Sequence, residues 1–399
     1  MDLLHLPRFK VAVPESVLGD LRRRLEATRW PNQANARPWA YGADLGYMQA
    51  VQRHWLERHD WRTWERRINA YAGYQVLVEG KLIHFIVEPG SGENPLPLLL
   101  LHGWPGSMLE FLGVIDQLVH PERFGGREED AFTVIVPSLP GFGFSEGFDI
   151  PVPPREIARR IALLMTEVLC MDRYVLQGGD WGAIIGSWIA LDFPERLVAL
   201  HHNSQGLGGG HSTPPNHGLD TLTSEELDWL ARNDAYKRGN FGYWDVQGNE
   251  PQTLAYGLTD SPIGLAAWIL QRFQAWTQCG SDKPPPFDLD HLIANVMMYW
   301  LAGINVPNWL YVSLVDGTAR RVEAGRWIEV PSGFLFGPSD NVIAPPRRWL
   351  ERVFRDIRRY GVAPRGGHFL AFEQPDIFVT EMWRFFAIHQ GDLDPSGLS

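Results

Sequence analysis

Leu176-Gln177-Gly178-Gly179-Asp180-Trp181-Gly182-Ala183 is the stretch that decides the fold. The apolar run Tyr174 to Leu176 precedes the glycines, and a helical pattern from Ala183 to Leu191 follows, closed by Pro194. A residue at a sharp strand-to-helix turn needs small neighbours, because its backbone is strained and the helix after it packs close. Gly178 and Gly182 meet that need. The pattern is that of a nucleophile elbow, with Asp180 where serine is commoner. The plain alternative is an aspartate capping a helix N-terminus by accepting free backbone N–H bonds.

Working outward, short apolar runs alternate with helical stretches. Leu82 to Val87, Leu98 to Leu101, Thr133 to Val136 and Tyr174 to Leu176 read as strands. Two of them, Leu98 to Leu101 and Thr133 to Val136, are continuously apolar and so are expected to be buried on both faces. Met108 to Leu118, Pro154 to Leu169 and Ala183 to Leu191 read as helices. Such alternation predicts an α/β fold with a mostly parallel sheet and helices on both faces.

The alternation breaks at Gly206-Leu207-Gly208-Gly209-Gly210, which with Pro214-Pro215 reads as a loop. From about Leu222 to Val315 the pattern is helical and aromatic, with Pro284-Pro285-Pro286 as a hinge. Phe334 to Phe336 and Tyr360 to Val362 then resume the strands. The expected organisation is a core of residues 91–205 and 326–399, interrupted by a helical lid over 206–325. Ahead of it, Val13 to Trp30, Tyr47 to Arg58 and Asp60 to Ile68 read as helices rich in tryptophan. Residues 1–90 are therefore expected to wrap the core.

Composition narrows the function. The 399 residues carry 36 Lys and Arg against 47 Asp and Glu, a formal charge of −11. A nucleic-acid grip needs a basic face, so that class is disfavoured. Cys170 and Cys279 are the only cysteines, too few for a disulfide scaffold or a multi-cysteine metal site. A cytoplasmic home is the expectation. No export signal or long apolar run is read, so no membrane anchor is expected. A homo-oligomer is compatible with the composition.

An aspartate in the elbow changes the chemistry. It is ionised at neutral pH without help from a base. A carboxylate suits a strained or activated carbon, such as an epoxide ring or a carbon–halogen bond. The product is an ester on the enzyme, which an activated water must then cleave. Gly366-Gly367-His368-Phe369 follows a strand and offers the imidazole for that step, and Gly337-Pro338-Ser339-Asp340 follows Phe334 to Phe336 and offers its orienting acid. The chain order of nucleophile, acid and histidine is the one this class of fold uses. His102-Gly103-Trp104-Pro105-Gly106 directly follows the strand ending at Leu101. There the Trp104 N–H, with that of Trp181, could hold the oxyanion formed during ester hydrolysis. The plain alternatives are a core histidine at 368 and a simple Gly-Pro turn at 105.

Across nearly its whole length the sequence resembles epoxide hydrolases of the microsomal type, within the α/β-hydrolase superfamily. The resemblance rests on Phe9 to Trp30-Pro31, His102 to Ser107, Ser138-Leu139-Pro140-Gly141-Phe142-Gly143-Phe144-Ser145, Gly179-Asp180-Trp181-Gly182 and Arg365-Gly366-Gly367-His368-Phe369. It implies an Asp180 nucleophile, an Asp340–His368 pair, two lid tyrosines, no cofactor and no metal. By position the tyrosines fall on Tyr243 and Tyr311, with Tyr236, Tyr256 and Tyr299 as competitors. Two phenols could hold the epoxide oxygen and protonate it as the ring opens. The sequence departs from the mammalian relatives in showing no N-terminal anchor, and has Asp340 where some relatives have glutamate.

The implied reaction converts a small apolar or aromatic epoxide and water to a vicinal diol. A haloalkane dehalogenase, and a non-catalytic binding module on the same fold, stay open as alternatives. Weaker signals carry less. His201 and His202 are adjacent and would point apart, against a metal site. Gly141-Phe142-Gly143 lacks the third glycine of a dinucleotide fingerprint. Arg22-Arg23-Arg24 reads as a solvated helix face.

Overall fold

The computed structural model describes residues 6–209, 222–341 and 343–387. Eight strands form one sheet: β1 (Gly73–Val78), β2 (Lys81–Glu88), β3 (Leu96–Leu101), β4 (Phe132–Pro137), β5 (Tyr174–Gly178), β6 (Leu197–His202), β7 (Ser332–Phe336) and β8 (Ile357–Val362). Their order is β1-β2-β4-β3-β5-β6-β7-β8. β1 and β2 pair antiparallel, as do β2 and β4, and every other neighbour is parallel. β4, β5, β6 and β7 are buried along their whole length. Burial on both faces is why Thr133 to Val136 of β4 reads as a continuous apolar run rather than an alternating one.

Sixteen helices surround the sheet in the described residues. The N-terminal three are α1 (Glu15–Glu26), α2 (Leu45–Glu57) and α3 (Trp61–Asn69). α4 (Ile115–Val119), α5 (Pro154–Leu163) and α6 (Asp180–Asp192) lie among the strands. Between β6 and β7 come α7 (Ser224–Asn240), α8 (Gly242–Asn249), α9 (Pro251–Asp260), α10 (Pro262–Ala275), α11 (Leu289–Ala302), α12 (Asn305–Trp309) and α13 (Val312–Val315). α14 (Arg347–Leu350), α15 (Leu370–Glu373) and α16 (Pro375–Ala387) close the chain. α6 is buried from Trp181 to Leu191. A helix apolar on every side must be central, and this one packs on β3, β5, β6 and α5.

The N-terminal helices reach the β6–β7 insertion as well as the core. α1 and α2 both pack on α10, and α2 packs on α11. Asp290 of α11 shares one carboxylate oxygen with His54 at 2.9 Å and His59 at 3.1 Å. The Val13 N–H and the Trp61 indole both donate to Glu65, at 2.7 and 2.9 Å. Arg22 and Arg23 are solvated as expected, but Arg24 is not merely a surface charge. It pairs with Asp20 at 2.7 Å and with Asp260 of α9 at 2.5 Å.

Some expectations need correction. Met108 to Leu118 is not one helix: a 3-10 turn at Met108–Glu110 and the five-residue α4 are separated by a turn containing Gly113, a poor helix former. Pro154 to Leu169 is helical, but its end, Leu164–Val168, widens into a π turn. Two strands go unread in the sequence. β1 joins β2 through Glu79-Gly80, both at positive φ (47° and 77°), the twist a two-residue hairpin needs. β6 ends in the two histidines, whose chemistry drew attention from its buried strand character. Gly206–Gly208 is a 3-10 turn. Gly210 and Pro214-Pro215 of the expected loop lie outside the described residues, as do Met1 to His5 of the segment read for an export signal.

Candidate active site

Asp180 opens α6 immediately after β5, with φ at +48°. A side chain in that left-handed region is strained, and its surroundings hold it there. The space is bounded by glycines. A Cβ on Gly182 would stand 2.1 Å from the Leu101 carbonyl oxygen, and one on Gly103 would stand 2.3 Å from Asp180 Oδ1. The loop after β3 and the turn after β5 therefore approach as closely as backbone allows. The Trp104 N–H donates to Asp180 Oδ1 at 2.8 Å. Asp180 therefore does not cap its own helix, and its carboxylate instead accepts from an amide of the loop after β3.

His368 lies across from it. Its Nε2 is 3.5 Å from Asp180 Oδ2, and its Nδ1 is 2.7 Å from Asp340 Oδ1. The loop that carries the imidazole is pinned from three directions. The His368 N–H donates to the Trp276 carbonyl at 2.9 Å, and its own carbonyl accepts from Asn203 at 3.2 Å. Glu373 accepts from the N–H groups of Gly367 at 3.0 Å and Phe369 at 3.1 Å. Burial opposes a charge on His368, but Asp340 and Asp180 outweigh it and push the imidazole up to about 9. Burial holds the Asp180 carboxyl above its ordinary range, an effect that His368 and the backbone N–H groups of Trp181 and Trp104 only partly offset.

Tyr243 of α8 and Tyr311, at the start of α13, are buried together, with ring centres 5.7 Å apart. Tyr243 stacks on Trp104 at 5.3 Å, and Tyr311 meets Trp104 and Trp181 edge-on at 5.6 and 5.1 Å. Both phenols line one cavity with Asp180. Burial drives both well above the ordinary phenol range, so they stay protonated. Of the competitors, Tyr256 is exposed, the Tyr299 hydroxyl donates to the Gly106 carbonyl at 2.6 Å, and Tyr236 meets Phe241 edge-on at 6.3 Å. A second, smaller cavity also reaches Asp180 and is lined by His368, Glu110 and Gln177. Asp180 therefore separates a phenol-lined space from an imidazole-lined one.

Comparison with known proteins places this arrangement. Residues 6–111 match the family model for the epoxide hydrolase N terminus, and residues 97–245 match that for the α/β hydrolase fold. Epoxide hydrolase 1 of Oryctolagus cuniculus is 31% identical over 408 residues, covering 95% of this chain and 88% of its own. The chain belongs to the epoxide hydrolase family. The crystal structure of juvenile hormone epoxide hydrolase from Bombyx mori superposes with a TM-score of 0.83 at 27% identity, over 97% of this chain and 95% of its own. The structure of Aspergillus niger epoxide hydrolase gives 0.80 at 27%, over 96% of each.

In this family member the sequence reading missed two buried carboxyls. Glu110 faces the imidazole-lined cavity, and burial with the neighbouring Asp180 charge raises it to about 8. The signal was available in Gly106: a Cβ there would stand 1.5 Å from a Glu110 carboxylate oxygen, so the glycine vacates room for it. Glu373 is raised by burial to about 7. It sits five residues past His368 and turns back onto that loop, a spacing that carries no recognisable motif. Among the described residues no cluster of three or more His, Cys, Asp or Glu could hold a metal ion, and no helix is long and apolar enough to cross a membrane. His201 and His202 point apart: His202 donates to the Gly178 carbonyl at 3.2 Å, while His201 lies 3.5 Å from Glu381.

Proposed function

We propose that this chain opens an epoxide with Asp180 and hydrolyses the resulting ester with His368, yielding a vicinal diol. The observation that carries the reading is the position of Asp180 between two cavities, with phenols on one side and an imidazole on the other. Asp180 Oδ2 attacks a ring carbon, and the carbon–oxygen bond of the ring breaks. Tyr243 or Tyr311 gives the leaving oxygen a proton while the other donates a hydrogen bond. The product is a hydroxyalkyl ester.

Esterification removes the Asp180 charge that helps hold the proton on His368. The imidazolium then gives that proton up, through solvent, to the tyrosinate, and becomes a base. Neutral His368, oriented by Asp340, takes a proton from water as the hydroxide adds to Asp180 Cγ. Negative charge collects on Oδ1, where the Trp104 N–H already donates and the Trp181 N–H is its proposed second partner. Collapse expels the diol alkoxide, which takes the proton of the new carboxyl group. The cycle ends with an Asp180 carboxylate, a His368 imidazolium and two phenols, as it began.

One turnover in heavy-oxygen water tests this. The label should enter the Asp180 carboxylate, read by peptide mass, and reach the diol only in later turnovers. Label entering the diol directly in the first turnover would overturn the ester. Both thiols are free, as a reducing cytoplasm would keep them. Cell fractionation tests that location, and light scattering tests whether the enzyme works as a homo-oligomer.

A further inference from the structure

Several buried and half-buried arginines in this protein have assigned partners. Arg352 pairs with Glu226 at 2.7 Å, Arg155 with Asp192 at 2.7 Å, and Arg160 with Glu79 at 2.8 Å. Arg272 lacks a carboxylate but donates to the Asn240 carbonyl at 3.1 Å and lies over the Tyr243 ring at 5.0 Å. Arg320 differs from all of them. Its guanidinium lines the phenol-bearing cavity together with Asp180 and makes no hydrogen bond or ion pair among the described residues. Its Nε is buried without a partner.

Leaving such donors unmet is costly unless something else satisfies them. The surroundings are arranged to keep the group in place. Gly209 makes room for it, since a Cβ there would stand 2.9 Å from Arg320 Cζ. Ser204, Gln205 and Asn341 give the same cavity a polar stretch of wall, and Asn341 Oδ1 is also buried without a partner. The cavity thus combines an aromatic, phenol-bearing wall with a polar one holding an unpaired planar cation. A planar guanidinium fork suits a carboxylate, which it can hold through two parallel hydrogen bonds.

Resting on the epoxide reading above, we propose that Arg320 selects substrates carrying a carboxylate, so that the preferred substrates are epoxy acids rather than neutral epoxides. The bond to the guanidinium anchors the acid end and leaves the oxirane to Asp180 and the tyrosines. The cation also offsets repulsion between the substrate carboxylate and that of Asp180. The competing role is purely local: Arg320 feels the Asp180 charge and could serve only to keep the nucleophile ionised. That role affects every epoxide alike.

The test compares terminal epoxy fatty acids of several chain lengths with their methyl esters, whose rings have the same intrinsic reactivity. Styrene oxide, which has no acid group, controls for the reaction itself. For at least one chain length kcat/KM for the acid should exceed that for the ester by roughly 10- to 100-fold, the range of a hydrogen bond to a charged group. Arg320→Gln should collapse this ratio towards one, and Arg320→Lys, which keeps charge but loses the fork, should give an intermediate value. A wild-type ratio at or below one for every pair overturns the proposal without needing any variant. So does an equal loss on acid, ester and styrene oxide in Arg320→Gln, which would assign the residue to Asp180 alone. Absence of turnover on all three substrates would instead overturn the epoxide reading on which the proposal rests.

Discussion

His368 stands between two carboxylates, with Nδ1 2.7 Å from Asp340 Oδ1 and Nε2 3.5 Å from Asp180 Oδ2. The shorter contact orients the ring. The longer one places the remaining nitrogen beside the group that is to be esterified. Together they raise the imidazole from 6.5 to about 9 against the effect of burial. A raised folded-state value means the folded protein binds the proton more tightly than the unfolded chain. The contribution is therefore fully present below pH 6.5 and is lost as pH rises through about 9, on the order of a few kcal/mol.

Removing the Asp180 charge should lower that titration. In Asp180→Ala, the His368 ring followed by nitrogen NMR should titrate at least about one unit below wild type, consistent with the loss of one close carboxylate. An unchanged midpoint would mean that Asp340 alone holds the proton, and that esterification does not prepare the base.

Separating the two half-reactions gives a second expectation. His368→Gln keeps the nucleophile and the tyrosines, so it should still form the ester. Its hydrolysis should slow by about 100- to 10,000-fold, the usual contribution of a positioned general base. Intact-mass measurement should then show protein enlarged by one substrate molecule. Asp180→Ala should show no such species under the same conditions. An adduct in Asp180→Ala would move the nucleophile to another residue.

With Tyr243 and Tyr311 sharing the opening oxygen as proposed, losing one should cost less than losing both. Each single change to phenylalanine removes one hydroxyl while keeping the aromatic packing on Trp104 and Trp181. Ester formation in single-turnover kinetics should fall by about 10- to 100-fold in each, a range suited to one hydrogen bond to developing charge. The double variant should fall further. Rates of ester hydrolysis, measured after the adduct forms, should change far less. A double variant no slower than either single one would place only one phenol on the oxygen.

Much of this site was legible in the sequence because its parts are local. The Asp180 elbow needs glycines on either side, and the loop after β3 needs Gly103 where the carboxylate passes, so composition alone marks both turns. Central strands announce themselves because burial on both faces removes polar residues. Less legible was anything decided by distant contact. β1 is an alternating edge strand with exposed Leu77, and its hairpin turn uses Glu79 rather than the expected asparagine or aspartate before the glycine. The break after Glu110, in a turn that holds Gly113, is one that periodicity alone does not record. Arg320 reads as one more charge near a turn until the fold sets it beside Asp180.

The insertion between β6 and β7 is tied to the core by a buried ion pair whose removal can be measured. Arg352, in the turn after α14, meets Glu226 of α7 at 2.7 Å with both side chains essentially inaccessible. Glu226 also completes the capping box of α7 with Thr223, and Arg352 lies over the Trp349 ring at 4.6 Å. Arg352→Met keeps the stem and the volume but strands a buried carboxylate, which costs about 3–5 kcal/mol. Glu226→Gln strands the guanidinium instead and should cost a similar amount, with the cap weakened as well. Replacing both partners with apolar residues leaves no buried charge, so the double variant should be more stable than either single one. Urea unfolding of the two single variants and the double one gives the coupling energy directly. Additive losses would show that the two side chains act independently and that the link between insertion and core lies elsewhere.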